Sequence, residues 1–228
     1  MKLSLRMETV KNTVVPCKTV CDVGCDHGFV SIALVEEGIA QHVIACDINK
    51  GPLAAATENI KTAGLTDRIE TRLSDGLHKV AQEDRPDAIV IAGMGGALTV
   101  KILTEGREVL KTVSQLVLQP QSELFLVRKW LRTEGYNITK ECFLYDCNKP
   151  YFVIDARPGE PTPHTDEENS FFDEYSEYLL KAKDPLYREY LKKGIDNNES
   201  YLKGMPAEKR GELLNKTELM RKALLMTE

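Results

Sequence analysis

The chain has 228 residues, of which 42% are hydrophobic and 29% are charged, and its net charge is −5. This length allows one full α/β domain and a smaller appendage. The acidic balance argues against a nucleic-acid binder that relies on overall positive charge, although a local basic patch remains compatible with it. No apolar run reaches the ~18 residues of a membrane helix, and the first six residues lack the apolar core of a signal peptide. We therefore expect a cytoplasmic protein with no membrane partner.

The first 160 residues alternate between helical and strand-like segments. A short amphipathic helix is predicted over 1–15, with Leu3, Met7 and Val10 at helical spacing. Further helices are predicted at 28–38, 51–64, 95–109 and 122–134, with a short one at 76–82. Strands are predicted at 18–23, 42–47, 68–73, 87–92, 114–119, 136–145 and 150–157.

This alternation predicts an α/β fold, in which a parallel sheet is covered by helices on both faces. Only residues 146–149 join the last two strands, which is too short for a crossover helix. These strands must therefore pair antiparallel at the edge of the sheet. Seven strands with a final antiparallel hairpin are typical of the Rossmann-like methyltransferase fold.

A turn-rich segment, Pro158-Gly-Glu-Pro-Thr-Pro163, predicts a boundary between a Rossmann-like domain at 1–160 and a helical domain at 161–228. The second domain contains helices predicted at 166–182, 185–203 and 207–227. We expect a small helical, coiled-coil-like domain that packs on itself or on the sheet domain. A long coiled coil between two chains is the alternative, but the heptads are few.

The most informative segment is Asp22-Val-Gly-Cys-Asp-His-Gly28, where a buried strand runs into a glycine turn. Asp47 follows at the end of the next apolar run, as in nucleotide-cofactor pockets where an acid takes the ribose hydroxyls. Asp26 stands where a dinucleotide fingerprint has its middle glycine, and a carboxylate there repels a pyrophosphate. The pattern disfavours a nicotinamide-dependent reductase. It favours an adenosine cofactor without phosphates, of which S-adenosylmethionine is the common one.

Two further glycine segments follow strands. Asp75, in Arg72-Leu-Ser-Asp-Gly76, follows the third strand, where such folds contact the adenine amino group, although it also suits a helix cap. Ala92-Gly-Met-Gly-Gly96 follows the fourth strand, where the methyl-accepting atom meets the cofactor. Its glycines allow close backbone approach, and a simple tight turn is the alternative.

Two polar segments are candidate substrate contacts. Gln119-Pro-Gln121 ends the fifth strand at the carboxyl edge of the sheet, where ligands bind in open α/β folds. Lys149-Pro-Tyr151 offers a cation and an aromatic stacking surface. A polar strand end and a hairpin turn also need no function.

Asp26 and His27 carry the mechanistic hypothesis. Methylation of a ring nitrogen of adenine creates a cation, so a nearby carboxylate stabilises the developing charge or accepts a proton from the exocyclic amine. His27 orients that carboxylate, contacts the substrate or caps the next helix.

The six cysteines fit a reduced compartment. Cys17, Cys21 and Cys25 are spaced four apart but lie on a strand and a turn, and they lack the C-x-x-C element of most thiolate sites. We therefore predict no metal site.

Together these segments, with Gly51-Pro52, resemble the bacterial tRNA (adenine-22-N1)-methyltransferase family over roughly residues 1–160. Cys25 stands where that family usually has Ser or Thr, and Gln121 where it usually has Asn. The helical appendage resembles the family's C-terminal domain by layout alone. The differences at Cys25 and Gln121 remove no carboxylate that the mechanism needs.

The resemblance implies an enzyme that transfers a methyl group from S-adenosylmethionine to N1 of an adenine in tRNA. It assigns the cofactor site to Asp22, Gly24, Asp47, Asp75 and Gly76. It assigns catalysis to Asp26, His27, Gly93 and Met94, and substrate binding to Arg6, Gly95, Gly96, Gln119, Pro120, Lys149 and Tyr151.

Arg6, Lys101 and Arg128 or Lys129 are the candidate basic residues for tRNA. Two rival functions remain open at this stage. One is a methyltransferase of a small molecule or a protein, and the other is a non-catalytic RNA-binding scaffold.

Overall fold

The computed structural model describes residues 3–228. The chain divides into two compact units, Met1–Thr162 and Pro163–Glu228. Residues 1 and 2 of the predicted N-terminal helix lie outside the described part of the chain. In residues 3–228, no helix has the length and apolar character needed to cross a membrane.

The first unit is built on a sheet with the strand order β3-β2-β1-β4-β5-β7-β6. All neighbours are parallel except for β7, which runs antiparallel to both β5 and β6. The predicted fold class and the antiparallel edge hairpin are therefore confirmed. The strands are β1 (Cys17–Val23), β2 (Ala40–Asp47), β3 (Ile69–Leu73), β4 (Ala88–Met94), β5 (Gln115–Pro120), β6 (Tyr136–Asp146) and β7 (Lys149–Pro158).

Six helices cover the two faces of this sheet. They are α1 (Leu5–Thr13), α2 (Phe29–Glu36), α3 (Lys50–Thr62), α4 (Gly96–Glu105), α5 (Arg107–Leu110) and α6 (Leu124–Thr133). Helices α1 to α3 pack on one face, where the buried residues include Val10, Leu34, Ile60, Val90 and Val117. Helices α4 to α6 pack on the other face, with Leu103, Leu131, Ile91 and Leu118. Because both faces are covered, the central strands are apolar runs without alternation.

Two predicted helices differ from the structure because of glycine. The predicted helix at 95–109 is divided into α4 and α5 at Gly106, where an added Cβ would lie 2.3 Å from Leu77 Cδ1. The predicted helix at 76–82 is a set of turns followed by a 3-10 turn at Gln82–Asp84. Gly76 has a left-handed φ of 55°, and the Ser74 hydroxyl donates to the Gly76 carbonyl at 2.9 Å. These local contacts replace helical hydrogen bonds.

From β1 the chain adds β2 and β3 on one side of the sheet, and then returns to add β4 and β5 on the other side of β1. The direction of strand addition therefore reverses between β1 and β4. In open α/β sheets, ligands bind at the carboxyl ends of the strands at such a switch point. The acidic, glycine and glutamine segments that the sequence singled out lie at or just after the carboxyl ends of β1 to β5.

The second unit is entirely helical in the part that the structure describes. It contains α7 (Asp166–Glu174), α8 (Glu177–Lys181), α9 (Pro185–Gly204) and α10 (Gly211–Leu225), with a 3-10 turn at Ala207–Lys209. The predicted helix at 166–182 is interrupted because Tyr175 is extended and the Ser176 side chain caps α8 by accepting from Leu179 N. Helices α9 and α10 approach closely at Gly194, where an added Cβ would lie 2.2 Å from Met220 Cε. The unit has its own apolar interior, which includes Phe171, Leu179, Leu180, Leu191 and Met220.

Candidate functional site

A cleft of about 490 Å³ opens at the carboxyl edge of the sheet. This volume lies in the range of ordinary ligand pockets. Ten of the residues that the sequence assigned to a site line it: Arg6, Asp22, Gly24, Asp26, His27, Asp47, Asp75, Gly76, Gly93 and Met94. Long-range pairing of the strands therefore brings these separated segments together.

The turn between β1 and α2 forms the floor of the cleft. Gly24, Asp26 and Gly28 all have left-handed backbones, with φ of 77°, 50° and 73°. Such a conformation strains most residues but suits glycine, and it is tolerated by Asp and Asn. A Cβ at Gly24 would lie 2.3 Å from Met94 Cε, so glycine there lets the methionine side chain cross the turn.

Asp47 connects the end of β2 to this turn. Its Oδ2 accepts from Asp26 N at 3.2 Å, and its Oδ1 accepts from Asn49 N at 2.8 Å. A carboxylate has about four acceptor positions, so two remain for a ligand. The neighbouring Ile48 is 59% exposed and lines the same cleft. A polar acceptor beside an apolar surface fits the ribose and the base of an adenosine.

Asp22 lies deeper, at the end of β1, and is only 4% exposed. The Ser31 hydroxyl donates to its Oδ2 at 2.6 Å. Burial raises the pKa of Asp22 to about 6, the Ser31 hydrogen bond lowers it, and the negative charge of Asp47 adds to the rise. The charged form of Asp22 is therefore disfavoured in the folded protein without a ligand.

We expect Asp22→Asn to stabilise the ligand-free protein above pH 6. The folded-state pKa of Asp22 is raised, so its ionisation lowers the free energy of unfolding as the pH rises from about 4 to about 6. A shift of this size corresponds to roughly 2–3 kcal/mol, which is the upper limit of the gain. Urea unfolding of both proteins at pH 5 and pH 8 measures the difference.

The gain should be larger at pH 8 than at pH 5. The control is Asp67→Asn, which removes an exposed carboxylate in the turn before β3 and should leave the stability unchanged. Equal stability of Asp22→Asn and the wild type at both pH values contradicts this account of Asp22.

The segment after β3 supplies another wall. Asp75 is exposed and lines the cleft, and its carboxylate forms no hydrogen bond or ion pair within residues 3–228. Ser74, not Asp75, stabilises the turn, because its hydroxyl also accepts from Lys79 N at 3.1 Å. The Asp75 carboxylate therefore remains available to a ligand, as a contact to an adenine amino group requires.

Asp26 and His27 stand at the opening. Their side chains are 62% and 51% exposed, with His27 Nε2 3.6 Å from Asp26 Oδ1. The His27 ring stacks on Phe29 with centroids 5.4 Å apart. Helix α2 is capped by Gly28 without a side-chain hydrogen bond, so His27 does not act as its cap. The Asp26 carboxylate thus has His27 near it and is otherwise open to solvent.

The segment from Gly93 to Gly96 is fixed by β5 and the residues after it. Gly93 N donates to Gln119 Oε1 at 3.2 Å, Gln121 N donates to Met94 O at 2.8 Å, and Gly96 N donates to Ser122 O at 3.0 Å. Gly93 has a left-handed φ of 81°. These bonds hold the backbone at the edge of the cleft in one conformation.

Six residues with predicted substrate contacts lie outside the cleft lining: Gly95, Gly96, Gln119, Pro120, Lys149 and Tyr151. Gly95 precedes α4, and Gly96 is buried where an added Cβ would lie 2.4 Å from Glu123 O. Pro120 is buried at the end of β5, and Lys149 is exposed at the start of β7. Gln119 is fully buried, and the Tyr151 ring lies beneath Arg6.

Of the two alternatives Arg128 and Lys129 for a tRNA contact, Arg128 must be excluded, whereas Lys129 is exposed. Arg128 is 4% exposed, and its Nη2 donates to the buried Glu141 at 2.7 Å, so it has no surface to offer to RNA. Lys101 is exposed and lies 3.9 Å from Glu105 on the same helix.

Gln121, from the candidate segment at 119–121, lines the cleft, whereas the sequence missed other cleft residues, among them Ile48 and Leu98. The position of Ile48 directly after Asp47 could have identified it as a cleft residue. Nothing in the sequence identifies Leu98 in this way, because an apolar residue near a helix start is ordinarily a packing residue. Within residues 3–228, no group of three or more His, Cys, Asp or Glu side chains is arranged to hold a metal ion.

Comparison with known proteins gives four relevant similarities, to one family, one characterised relative and two solved structures. Residues 3–154 match the family described as a methyltransferase domain. Over 160 residues, the chain is 36% identical to the tRNA (adenine(22)-N(1))-methyltransferase of Bacillus subtilis strain 168, a match that covers 70% of this chain and 67% of that protein.

Two solved structures are similar along nearly all of the chain. One is the crystal structure of the B. subtilis tRNA methyltransferase TrmK, with a TM-score of 0.83, 28% identity, and coverage of 98% of this chain and 99% of that one. The other is M. capricolum TrmK in complex with S-adenosyl-homocysteine, the cofactor product, with a TM-score of 0.88, 27% identity and full coverage of both chains. The similarity extends over both compact units.

Proposed function

The chain belongs to the tRNA (adenine-22-N1)-methyltransferase family, and we propose that its cleft is where S-adenosylmethionine meets the target adenine. The protein is accordingly an S-adenosylmethionine-dependent methyltransferase that acts on N1 of an adenine in tRNA. The observation that carries the site assignment is the convergence of Asp47, Asp75 and Asp26 on one cleft. We propose tRNA as the partner of the protein and the cytoplasm as its location.

The lining fits the cofactor at several points. Asp47 has acceptor positions left for two ribose hydroxyls, and Ile48 offers an apolar face to the adenine ring. Asp75 is available to the adenine amino group. Asp22, beneath the turn, favours the cationic ammonium of the methionine part, which in turn stabilises the ionised carboxylate.

When bound, S-adenosylmethionine supplies an electrophilic methyl group on its sulfonium sulfur. The residues of this chain have to bind the adenine, orient its N1 and accommodate the positive charge that it gains. Asp26 is suited to the last task, because its exposed carboxylate lines the cleft and can stabilise the positive charge or accept the proton that the exocyclic amine releases. The His27 ring lies beside that carboxylate, 3.6 Å from its Oδ1. The fixed backbone at Gly93 and Met94 limits where the base can lie.

Mass spectrometry of tRNA nucleosides tests the function directly. Unmodified tRNA is incubated with the protein and S-adenosylmethionine, in parallel with protein and metabolite pools. We expect 1-methyladenosine in the tRNA and no methylation of the other pools. Methylation of a protein or a metabolite alone would favour the first rival function. No calorimetric heat with S-adenosylmethionine would favour a non-catalytic RNA-binding scaffold.

A further inference from the structure

Arg6 reaches the cleft from α1 and is held from three directions. Its Nη1 donates to Gln119 Oε1 at 2.7 Å, and its guanidinium lies over the Tyr151 ring, 5.5 Å from the centroid. Its backbone amide donates to Asp146 Oδ2 at 3.0 Å, which fixes the start of α1 on the β6–β7 hairpin. The side chain is therefore fixed where β4 and β5 end.

The guanidinium nevertheless keeps most of its binding capacity. Arginine has five N–H donors, and within residues 3–228 the Arg6 side chain forms one hydrogen bond and no ion pair. Both partners of the Arg6 side chain, the Gln119 amide oxygen and the Tyr151 ring, carry no net charge. Neither contact neutralises the arginine, so a positive charge is presented at the opening of an otherwise acidic cleft.

Gln119 is not accessible to a substrate. It is fully buried, its Oε1 accepts from both Arg6 Nη1 and Gly93 N, and its Nε2 donates to Pro120 O at 3.2 Å. One amide therefore ties the N-terminal helix to the glycine segment after β4. This arrangement does not fit the predicted hydrogen bond from Gln119 to a nucleobase.

We propose that Gln119 and Tyr151 are positioning residues that hold Arg6 against a backbone phosphate of the tRNA, next to the adenine in the cleft. The proposal rests on the proposed function of the cleft. A guanidinium matches the geometry of a phosphate, and contacts of this kind fix register without reading sequence. An adenine inside folded tRNA must leave its stack, which costs a few kcal/mol, and a charged contact beside it offsets part of that cost.

The salt dependence of tRNA binding tests this role, because each phosphate contact contributes a defined slope of log Kd against log salt concentration. We expect Arg6→Ala to lower that slope by about 0.7–0.9. Gln119→Met should cause most of the same loss, although it removes no charge. Arg107→Ala is the matched charge control, because it removes an exposed arginine of α5 that pairs with Glu134, and it should keep the wild-type slope.

Kinetic measurements should show an effect on tRNA binding without an effect on cofactor binding. Arg6→Ala and Gln119→Met are each expected to raise KM for tRNA by about 10- to 100-fold, as the loss of a charged hydrogen bond implies, with the Kd for S-adenosylmethionine unchanged. The double variant should lower the salt slope no further than Arg6→Ala does, because Gln119 acts on the phosphate contact through Arg6. Additive losses of salt slope in the double variant would overturn the proposal.

Tyr151 provides a second, independent test that does not disturb a buried amide. Tyr151→Leu removes the ring beneath Arg6 and should lower the salt slope, whereas Tyr151→Phe keeps the ring and should restore the wild-type slope. Wild-type slopes in both Gln119→Met and Tyr151→Leu contradict the proposal. If Gln119→Met fails to bind S-adenosylmethionine, the Tyr151 pair decides. Failure of the proposed function is recognised separately, as wild-type protein that does not methylate tRNA.

Discussion

Asp26→Asn is expected to lower kcat for tRNA methylation by about 100- to 10,000-fold while leaving the Kd for S-adenosylmethionine nearly unchanged. Asn tolerates the left-handed backbone that Asp26 adopts, at a φ of 50°, and keeps the amide that donates to Asp47. The substitution therefore removes the negative charge and preserves the turn. Single-turnover methylation and calorimetric titration of the cofactor measure the two quantities.

Asp26→Ala is less suitable, because Ala in a left-handed conformation costs roughly 1–2 kcal/mol and disturbs the turn itself. Asp67→Asn again serves as the control for loss of an exposed carboxylate away from the cleft, and it should retain full activity. A parallel loss of cofactor affinity and turnover in Asp26→Asn would assign Asp26 to the cofactor pocket instead.

Asp47→Ala should weaken binding of S-adenosylmethionine by at least about 100-fold. The two proposed hydrogen bonds from the ribose hydroxyls to the Asp47 carboxylate, each worth roughly 1.5–3 kcal/mol, are lost in this variant. The backbone amides of Asp26 and Asn49 lose their acceptor as well, so the turn after β1 becomes less ordered. Calorimetry with S-adenosyl-homocysteine measures the change without turnover.

Asp75→Ala offers the comparison for this prediction, because it removes one exposed carboxylate that forms no bond within residues 3–228. We expect a smaller loss, of about tenfold, as suits a single contact. A wild-type Kd for Asp47→Ala, or a larger effect at Asp75 than at Asp47, is incompatible with a ribose contact at the end of β2.

The sequence alone predicted the sheet and ten residues of the cleft lining because both depend on local patterns. Buried apolar runs define β1, β2, β4 and β5, and the polar or glycine residue that ends each run marks the carboxyl edge. The short connection at 146–149 required an antiparallel pair, and the turn there is made by two left-handed residues, Cys147 and Asn148. Parallel strands align their ends, so acids after separate strands had to converge.

The tertiary structure decided what these patterns leave open, namely which side chain reaches which partner. Arg6 meets Gln119 across 113 positions of the chain, and no local periodicity encodes that contact. The burial of Arg128 is not encoded locally either. Its position on α6 suggested an exposed cation, but tertiary packing buries it against Glu141. A residue's backbone position follows from neighbours in sequence, whereas its burial and hydrogen bonds follow from neighbours in space.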